Sequence, residues 1–328
     1  MQCLACHNEE GNRTLMAREM MRGTKLPFEY VECAACGSLQ IVRPPPDLGP
    51  FYGDSYYSFR DKPESILRRL LKRERARYAL GSGSVVGAAL CWLWGRPEFA
   101  EWFLTIGARP EDCVLDIGCG NGLLLNQLRN VGFDNLTGID PFLAKETATP
   151  GFRLLKRDLS TMDGVFDLIM AHHSFEHMPS PRIALADVRR LLKPGGNALI
   201  RCPVAGSRAW LEYGADWVQL DAPRHLFIPS MAGFVKLAEA SRLNLWKVSC
   251  DSYAFQFFGS ELYRRGISLQ DGRQGRYFSR RMLRQFEERA RTLNQTMEGD
   301  SACFYLRKTE DGIALPSKSR SAVTQQRN

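Results

Sequence analysis

From Asp112 onward, short apolar runs alternate with segments of helical period. Cys113–Ile117, Leu136–Asp140, Phe152–Lys156, Phe166–Ala171 and Ala198–Cys202 are continuous enough in apolar residues to read as strands buried on both faces. Between them Gly122–Val131, Pro181–Leu192 and Ser230–Ser241 repeat their apolar positions as amphipathic helices do. Such alternation predicts a parallel sheet with right-handed crossovers. Leu243–Asp251 and Ala302–Lys308 add two strands, separated by a long basic helical stretch, which brings the expected sheet to seven strands with helices on both faces.

The rest of the chain follows other patterns. Residues 1–42 are rich in cysteine and turn formers and end at Pro44–Pro45–Pro46, where three rings forbid a helix or a central strand. Phe51, Tyr52, Tyr56, Tyr57 and Phe59 follow, too many aromatics for a free linker, and are expected to dock on the main domain. From Pro63 to Leu80, Ile66, Leu67, Leu70 and Leu71 recur at helical spacing among arginines and lysines, an amphipathic basic helix. After Asp311 no periodicity remains, and disorder is expected. The expected divisions are 1–43, 44–105, 106–310 and 311–328.

At 44% hydrophobic and 24% charged, the 328 residues have the make-up of a globular chain that buries a core. The net charge of +8 is concentrated: Arg60–Arg77 holds eight basic and three acidic residues, and Arg264–Arg291 nine and three, so the central sheet region is not basic. These basic helices read as solvated faces, with anionic lipid or nucleic acid as the alternative partner. Gly81–Gly95, the longest nearly uncharged stretch, is well short of the roughly 20 residues a spanning helix needs. With no charged segment and apolar run at the start, a cytoplasmic location is expected. There the ten cysteines would stay reduced, so close pairs suggest metal ligands, and Cys91, Cys113, Cys202, Cys250 and Cys303 small apolar groups.

Candidate chemistry begins at Val114–Leu–Asp–Ile–Gly–Cys–Gly–Asn–Gly122, a strand running into a glycine-rich turn and then a helix. Without side chains at Gly118, Gly120 and Gly122 the backbone can turn tightly and approach a ligand, with the helix N-terminus aimed at it. Asp140, ending the next strand, is placed to accept hydrogen bonds from ribose hydroxyls. The glycine spacing is not that of dinucleotide binders, and Asp116 would repel a pyrophosphate while suiting a cation, which favours a sulfonium cofactor.

This run resembles motif I of class I S-adenosylmethionine-dependent methyltransferases. Gly138–Ile–Asp140, Arg157–Asp–Leu159, Phe166–Asp–Leu–Ile169, Phe175–Glu–His177 and Leu192–Lys–Pro–Gly–Gly196 extend the resemblance over some two hundred residues. It implies a Rossmann-like sheet with S-adenosylmethionine as cofactor. By position, Gly118, Gly120 and Gly122 would line the methionine part and Asp140 would hold the ribose, with Asp116, Cys119, Asn121 and Pro141 also among the cofactor-binding residues. Asp158 and Leu159 would face the adenine, His172 and His173 would end the fourth strand, and Leu192–Gly196 would form the turn before the fifth. Cys119 reads as a small loop residue, not a catalytic thiol.

Cys3-x2-Cys6 and Cys33-x2-Cys36 are two matching knuckle spacings, a strong signal for tetrahedral, structural zinc in a zinc-ribbon-like unit. Four thiolates fill the shell and leave no place for an activated water. The chain also resembles a narrower group of these methyltransferases, with an N-terminal zinc-binding segment followed by a Pro-rich, Tyr-Tyr-containing stretch. That resemblance implies action on small metabolites, nucleotide-linked sugars or glycans.

Methyl transfer from a sulfonium needs the acceptor aligned and its proton removed. His177 and His225 are the histidines expected on loops at the C-terminal edge of the sheet, and either is a candidate base. Pro203–Pro229, with Tyr213, Trp217, Asp221 and Arg224, is too long and aromatic for a connector and is the expected acceptor-binding loop. Arg224 would pair with a substrate anion or with Asp221. The competing function is RNA methylation, with the zinc unit and basic helices gripping phosphates. Against it, the Cys3–Cys36 segment is no more basic than acidic, and His172–His–Ser–Phe175 stands where a base-methylating motif would be.

Overall fold

The structure, a computed structural model, describes residues 1–52, 65–81, 84–272 and 274–309. Tyr56, Tyr57, Phe59, the start of the basic helix and the tail from Asp311 lie outside the described residues. Three strands come first: β1 (Arg13–Arg18), β2 (Pro27–Glu32) and β3 (Leu39–Ile41). The helices α1 (Gly49–Tyr52), α2 (Ile66–Ala79), α3 (Val85–Trp94) and α4 (Glu98–Ile106) lead to β4 (Val114–Ile117). Then follow α5 (Leu123–Asn130), β5 (Leu136–Ile139), β6 (Thr147–Thr149), β7 (Phe152–Leu155), β8 (Phe166–His172), α6 (Pro181–Leu191) and β9 (Leu192–Pro203). The chain continues through α7 (Arg208–Tyr213), β10 (Phe227–Ile228), α8 (Met231–Ala240), β11 (Leu243–Cys250), α9 (Phe255–Arg264), α10 (Gln274–Tyr277), α11 (Arg280–Gln295) and β12 (Ser301–Lys308).

The larger sheet has the order β11-β12-β9-β8-β4-β5-β7-β6. Its middle, from β9 to β7, is parallel, and β12 runs antiparallel between β11 and β9. All seven expected strands are present, and the eighth is the short edge strand β6, antiparallel to β7. From β4 the order runs through β5 and β7 to one side, then returns to β8 and β9 on the other. The switch between β4 and β8 opens a crevice at their C-terminal ends.

Period-two alternation along the central strands separates two apolar layers. Leu115, Ile117, Ile169, Ala171, Ala198 and Ile200 face α6 and α8, which contribute Leu185, Val188, Phe234 and Leu237. Val114, Leu168, Met170 and Leu199 face the opposite way, onto Phe99 and Phe103 of α4 and Leu125 and Leu128 of α5. Each such leucine or phenylalanine, fully buried, contributes about 1.5–3 kcal/mol. In α6, Pro181 occupies the first turn, where its missing N–H costs nothing, and Ala184, Leu185, Val188 and Leu191 form the buried face.

The Leu192–Gly196 turn is drawn into β9: Leu192 registers with Phe166 and Asn197 with Leu168, so residues 193–196 bulge out of the ladder. The register slip between Phe166 and Leu168 absorbs the extra residues.

The smaller sheet, β1-β2-β3-β10, closes on a strand from the far end of the chain. Phe227 and Ile228 pair with Gln40 and Leu39, and the Ile41 N–H donates to the Leu226 carbonyl at 2.9 Å. Under this sheet lies a third apolar cluster that joins Tyr30, Leu39 and Ile41 to Trp210, Trp217, Leu226 and Phe257.

Candidate active site

A cavity of about 650 Å³ opens at the switch point. Gly118 stands on its floor at φ 72°, and a Cβ there would come within 2.4 Å of Ser174 Cβ. No other residue fits so close an approach in that left-handed conformation. Ser174 Oγ in turn donates to the Ile117 carbonyl at 2.7 Å, locking the β8 loop over the turn. The N–H groups of Gly118 and Cys119 both donate to the Ile139 carbonyl. Asp140 accepts from the Gly120 N–H at 3.0 Å and from the Phe142 N–H at 2.8 Å, so the turns after β4 and β5 are tied through its carboxylate.

Of the expected cofactor residues, Gly118, Asp140, Pro141, Asp158, Leu159, His172 and His173 line this cavity; Asp116, Cys119, Gly120, Asn121 and Gly122 stand behind it in the strand and turn. The Asp158 carboxylate caps the short 3-10 turn by accepting from Ser160 N and Oγ, and Asp158 and Leu159 both line the cavity. Burial, reinforced by the charge of Asp140, pushes Asp116 up to about 7. Burial also raises the Cys119 thiol well above its ordinary value, in keeping with a packing residue and not a nucleophile. His172, with burial and the nearby Arg201 guanidinium holding it down to about 3, is a neutral imidazole with its ring centroid 4.5 Å from that of Trp102.

A second cavity, of about 860 Å³, shares Tyr52, His173 and His177 with the first. Its wall includes Glu98, Glu176, Arg201, Asp221, Arg224 and His225, with Tyr253, Phe255 and Phe258 as an aromatic side. His177 and His225, expected together from sequence, are neighbours with ring centroids 4.8 Å apart. His177 Nδ1 is 2.9 Å from the Arg224 carbonyl and His225 Nδ1 2.6 Å from that of Gln219. A carbonyl only accepts, so each Nδ1 carries the proton, and in the neutral ring Nε2 holds the lone pair.

His225 Nε2 lies 3.5 Å from Asp221 and 3.9 Å from Glu176, yet burial outweighs both carboxylates and lowers the imidazole to about 4. Burial of Glu176 works against its ionisation, but His173, 3.4 Å away, and the imidazoles of His225 and His177 outweigh it and hold the acid at about 2. Glu176, His177 and His225 offer ligand atoms within 4.8 Å of one another. Arg224 is ion-paired with Asp221, the less adventurous of the two expected roles. Burial raises Asp221, but Arg224 and His225 outweigh it and keep the acid below its ordinary range.

Two expected acceptor residues are elsewhere. Trp217 is fully buried and donates its indole N–H to Asp300 at 3.0 Å, and Tyr213 is buried with its hydroxyl on Glu261; neither lines either cavity. Pro203–Pro229 folds into α7, two 3-10 turns and β10 instead of standing open as a loop, and its aromatics fill the third apolar cluster. Tyr52, by contrast, was visible only as one member of an aromatic run. It stacks on Phe142 at 5.4 Å, and its hydroxyl is 3.1 Å from His177 Nδ1. Glu98, Arg201 and Phe258 carried no sequence signal, because they converge only through the fold.

The four N-terminal sulfurs lie together, Cys3 to Cys36 at 3.6 Å and Cys6 to Cys33 at 3.5 Å, with all four within 4.8 Å. Zinc–sulfur bonds of about 2.3 Å require sulfurs roughly 3.8 Å apart in a tetrahedron, so the donor set fits that ion. Both knuckles close alike: the His7 N–H donates to the Cys3 carbonyl and the Gly37 N–H to that of Cys33, with both residues at positive φ.

The strand order and the glycine turn at a switch-point cavity are those of the class I S-adenosylmethionine-dependent methyltransferase fold. Residues 66–248, more than half of the chain, match the family described as a methyltransferase domain, and the chain belongs to that family. It is 29% identical over 161 residues to a ubiquinone biosynthesis O-methyltransferase of Methylococcus capsulatus, covering 45% of this chain and 65% of that one. It is also 29% identical over 221 residues to an uncharacterized 37.1 kDa protein in transposon TN4556 of Streptomyces fradiae, covering 60% of each. The chain thus spans 60–65% of these relatives' lengths. Among solved structures it is similar to the 1,6-didemethyltoxoflavin-N1-methyltransferase of Burkholderia thailandensis, at 16% identity and a TM-score of 0.40, covering 76% of this chain and 94% of that one.

Proposed function

We propose that the protein transfers the methyl group of S-adenosylmethionine to a hydroxyl of a small acceptor, a metabolite, nucleotide-linked sugar or glycan. The observation that carries this reading is the junction of the two cavities at Tyr52, His173 and His177. A cofactor held over Gly118 and Asp140 would present its methyl at that junction, and an acceptor in the second cavity would meet it there. The new oxygen–carbon bond forms as the carbon–sulfur bond breaks, and the hydroxyl proton passes to a base. His177 Nε2 is our choice, because this half-buried ring lines both cavities; His225, fully buried and held near 4, supports it from behind. The O-methyltransferase named among the relatives supports a hydroxyl acceptor.

We further infer zinc at Cys3, Cys6, Cys33 and Cys36, with a structural role reaching the acceptor side. The Tyr30 hydroxyl donates to the His225 carbonyl at 2.8 Å, and Leu226 pairs with both Ile41 and Glu176 through the backbone. The N-terminal sheet would thereby hold the His225 segment in place.

The test is methyl transfer from labelled S-adenosylmethionine to hydroxyl-bearing aromatic metabolites, sugar nucleotides and glycans, with product mapping. Label on an acceptor oxygen with formation of S-adenosylhomocysteine is expected. Label appearing only on RNA, or only on nitrogen or carbon, would overturn the reading.

A further inference from the structure

The α2–α3 hairpin presents an apolar face that the fold does not use. In α3 the buried residues Gly87 and Leu90 turn towards α2: a Cβ on Gly87 would strike the Glu74 carbonyl at 2.6 Å, and Cys91 Sγ and the Gly95 carbonyl both contact Arg75. The opposite side carries Val85, Ala89, Trp92 and Leu93, spaced i, i+4, i+7 and i+8, with Val86 beside them. These form a second apolar stripe on the outer surface of a helix with no charged residue. Trp92 is 85% exposed and Val85 87%. Ile66, Leu67 and Leu70 of α2 and Trp94 at the end of α3 are exposed as well.

The helix packed beside the stripe is strongly basic. Between Ile66 and Ala79, α2 holds Arg68, Arg69, Lys72, Arg73, Arg75 and Arg77 against a single acid, Glu74, and Arg96 follows α3. An outward stripe of valine, leucine and tryptophan on a helix packed beside a strongly basic one matches the layered chemistry of a bilayer surface: acyl chains beneath, the carbonyl region at the indoles, phosphates at the rim. At ten residues α3 is about 15 Å long, half the hydrocarbon thickness, and among the described residues no helix is long and apolar enough to cross a membrane. The hairpin would therefore lie in the interface plane.

We propose that this hairpin docks the protein on an anionic phospholipid membrane. A second copy of the chain fits less well, since a symmetric contact through α3 would set one basic α2 beside another. RNA would engage the basic rim but gives Val85, Val86 and Leu93 nothing to pack on. The docked face is close in sequence to the chemistry: four residues after Trp94, Glu98 lines the second cavity, and one turn further Trp102 packs on His172.

The experiment is flotation of the full chain with vesicles of phosphatidylcholine alone or mixed with phosphatidylserine, at low and high salt. Wild type should float with the mixed vesicles and less so at high salt. The double variant Trp92→Ser with Leu93→Ser should lose at least about tenfold in partitioning, with unchanged melting because both side chains are exposed. Arg69→Glu with Arg73→Glu should lose binding to the mixed vesicles and its salt dependence. Wild type failing to float, or the Trp92/Leu93 variant floating as well as wild type, would overturn the proposal. So would light scattering that shows a dimer which this variant converts to monomers, or binding of a single-stranded RNA oligonucleotide without any vesicle binding.

Discussion

The cavity at the glycine turn takes its lining from residues 117–187, apart from Tyr52, whereas the cavity across His173 and His177 collects residues from Met21 to Gly272. The first is the product of the turns that follow β4, β5, β7 and β8, each of which needs only its neighbours to be shaped. The second has no local cause. It exists because β10 pairs with β3, because Tyr30 holds the His225 carbonyl, and because α9 brings Phe255 and Phe258 alongside. Cofactor binding should therefore be robust to damage that abolishes transfer, and most substitutions should affect one function without the other.

The harshest break is Cys33→Ser. Structural zinc in small peptide units contributes about 10–16 kcal/mol of apparent binding free energy, so losing one ligand should unfold the knuckles and loosen the sheet that ends in β10. Elemental analysis should find one zinc per wild-type chain and none in the variant. Turnover should fall to background while S-adenosylmethionine affinity, measured by calorimetry, stays within a few fold. A metal-free wild type that is fully folded and active would remove zinc from the account. Equal loss of affinity and turnover would erase the distinction between the cavities.

A subtler break leaves both walls standing. With His177→Gln, turnover should drop by about 10²–10⁴-fold, the range a general base supplies, with cofactor affinity nearly unchanged. His225→Gln should cost less, since burial keeps His225 near 4 and makes it a weak base at neutral pH. Near-native turnover in His177→Gln would pass proton removal to solvent or to another group. Rates falling further in His225→Gln than in His177→Gln would exchange the two roles.

The same contrast decides what the sequence made legible. The strands, the glycine turn, Asp140 and the four cysteines are written in local period and spacing, and each lies where that pattern puts it. His177 and His225 were reachable because a histidine just past a parallel strand, or on a long connection, must lie at the C-terminal edge of the sheet. Tyr213 and Trp217 lie away from both cavities, and an aromatic-rich segment looks the same in sequence whether its rings line a pocket or fill a core; here Trp217 finds Asp300 and Tyr213 finds Glu261. Glu176 is the sharper lesson. Noted in the sequence only as the middle of Phe175–Glu–His177 in a family pattern, it is in the structure a fully buried acid among three imidazoles, and no spacing along one chain reports that surround.

Within the first cavity, Asp140→Ala should weaken S-adenosylmethionine and S-adenosylhomocysteine alike by about 1.5–3 kcal/mol, the worth of hydrogen bonds to a charged acceptor. The side chain also ties Gly120 to Phe142, so part of that loss would come from a slackened turn. Asp140→Asn keeps the size and one acceptor and should recover part of the affinity. Unchanged binding in Asp140→Ala would mean that the ribose is held elsewhere.

The smallest effect is one of pH, and it isolates Asp116. Burial and the neighbouring Asp140 push this acid from its ordinary value up to about 7, so in the free protein near neutrality it is a mixture of acid and carboxylate. A folded-state value above the unfolded one means that the group favours folding at low pH and that this contribution is lost as pH rises through about 7. Ligand binding runs in the opposite direction. A cationic cofactor is better held by the carboxylate, so binding should expel a proton, and affinity should rise as pH climbs towards 7, by at most about tenfold per unit. Calorimetry in buffers of different ionisation enthalpy would report the released proton directly. Asp116→Asn, which fits the same space without titrating, should flatten the profile, leaving affinity at the low-pH level throughout. If wild-type affinity is flat from pH 5 to 7, or if Asp116→Asn keeps the slope, the carboxylate does not sense the bound cation. The acid behind the glycine turn would then serve only to shape it.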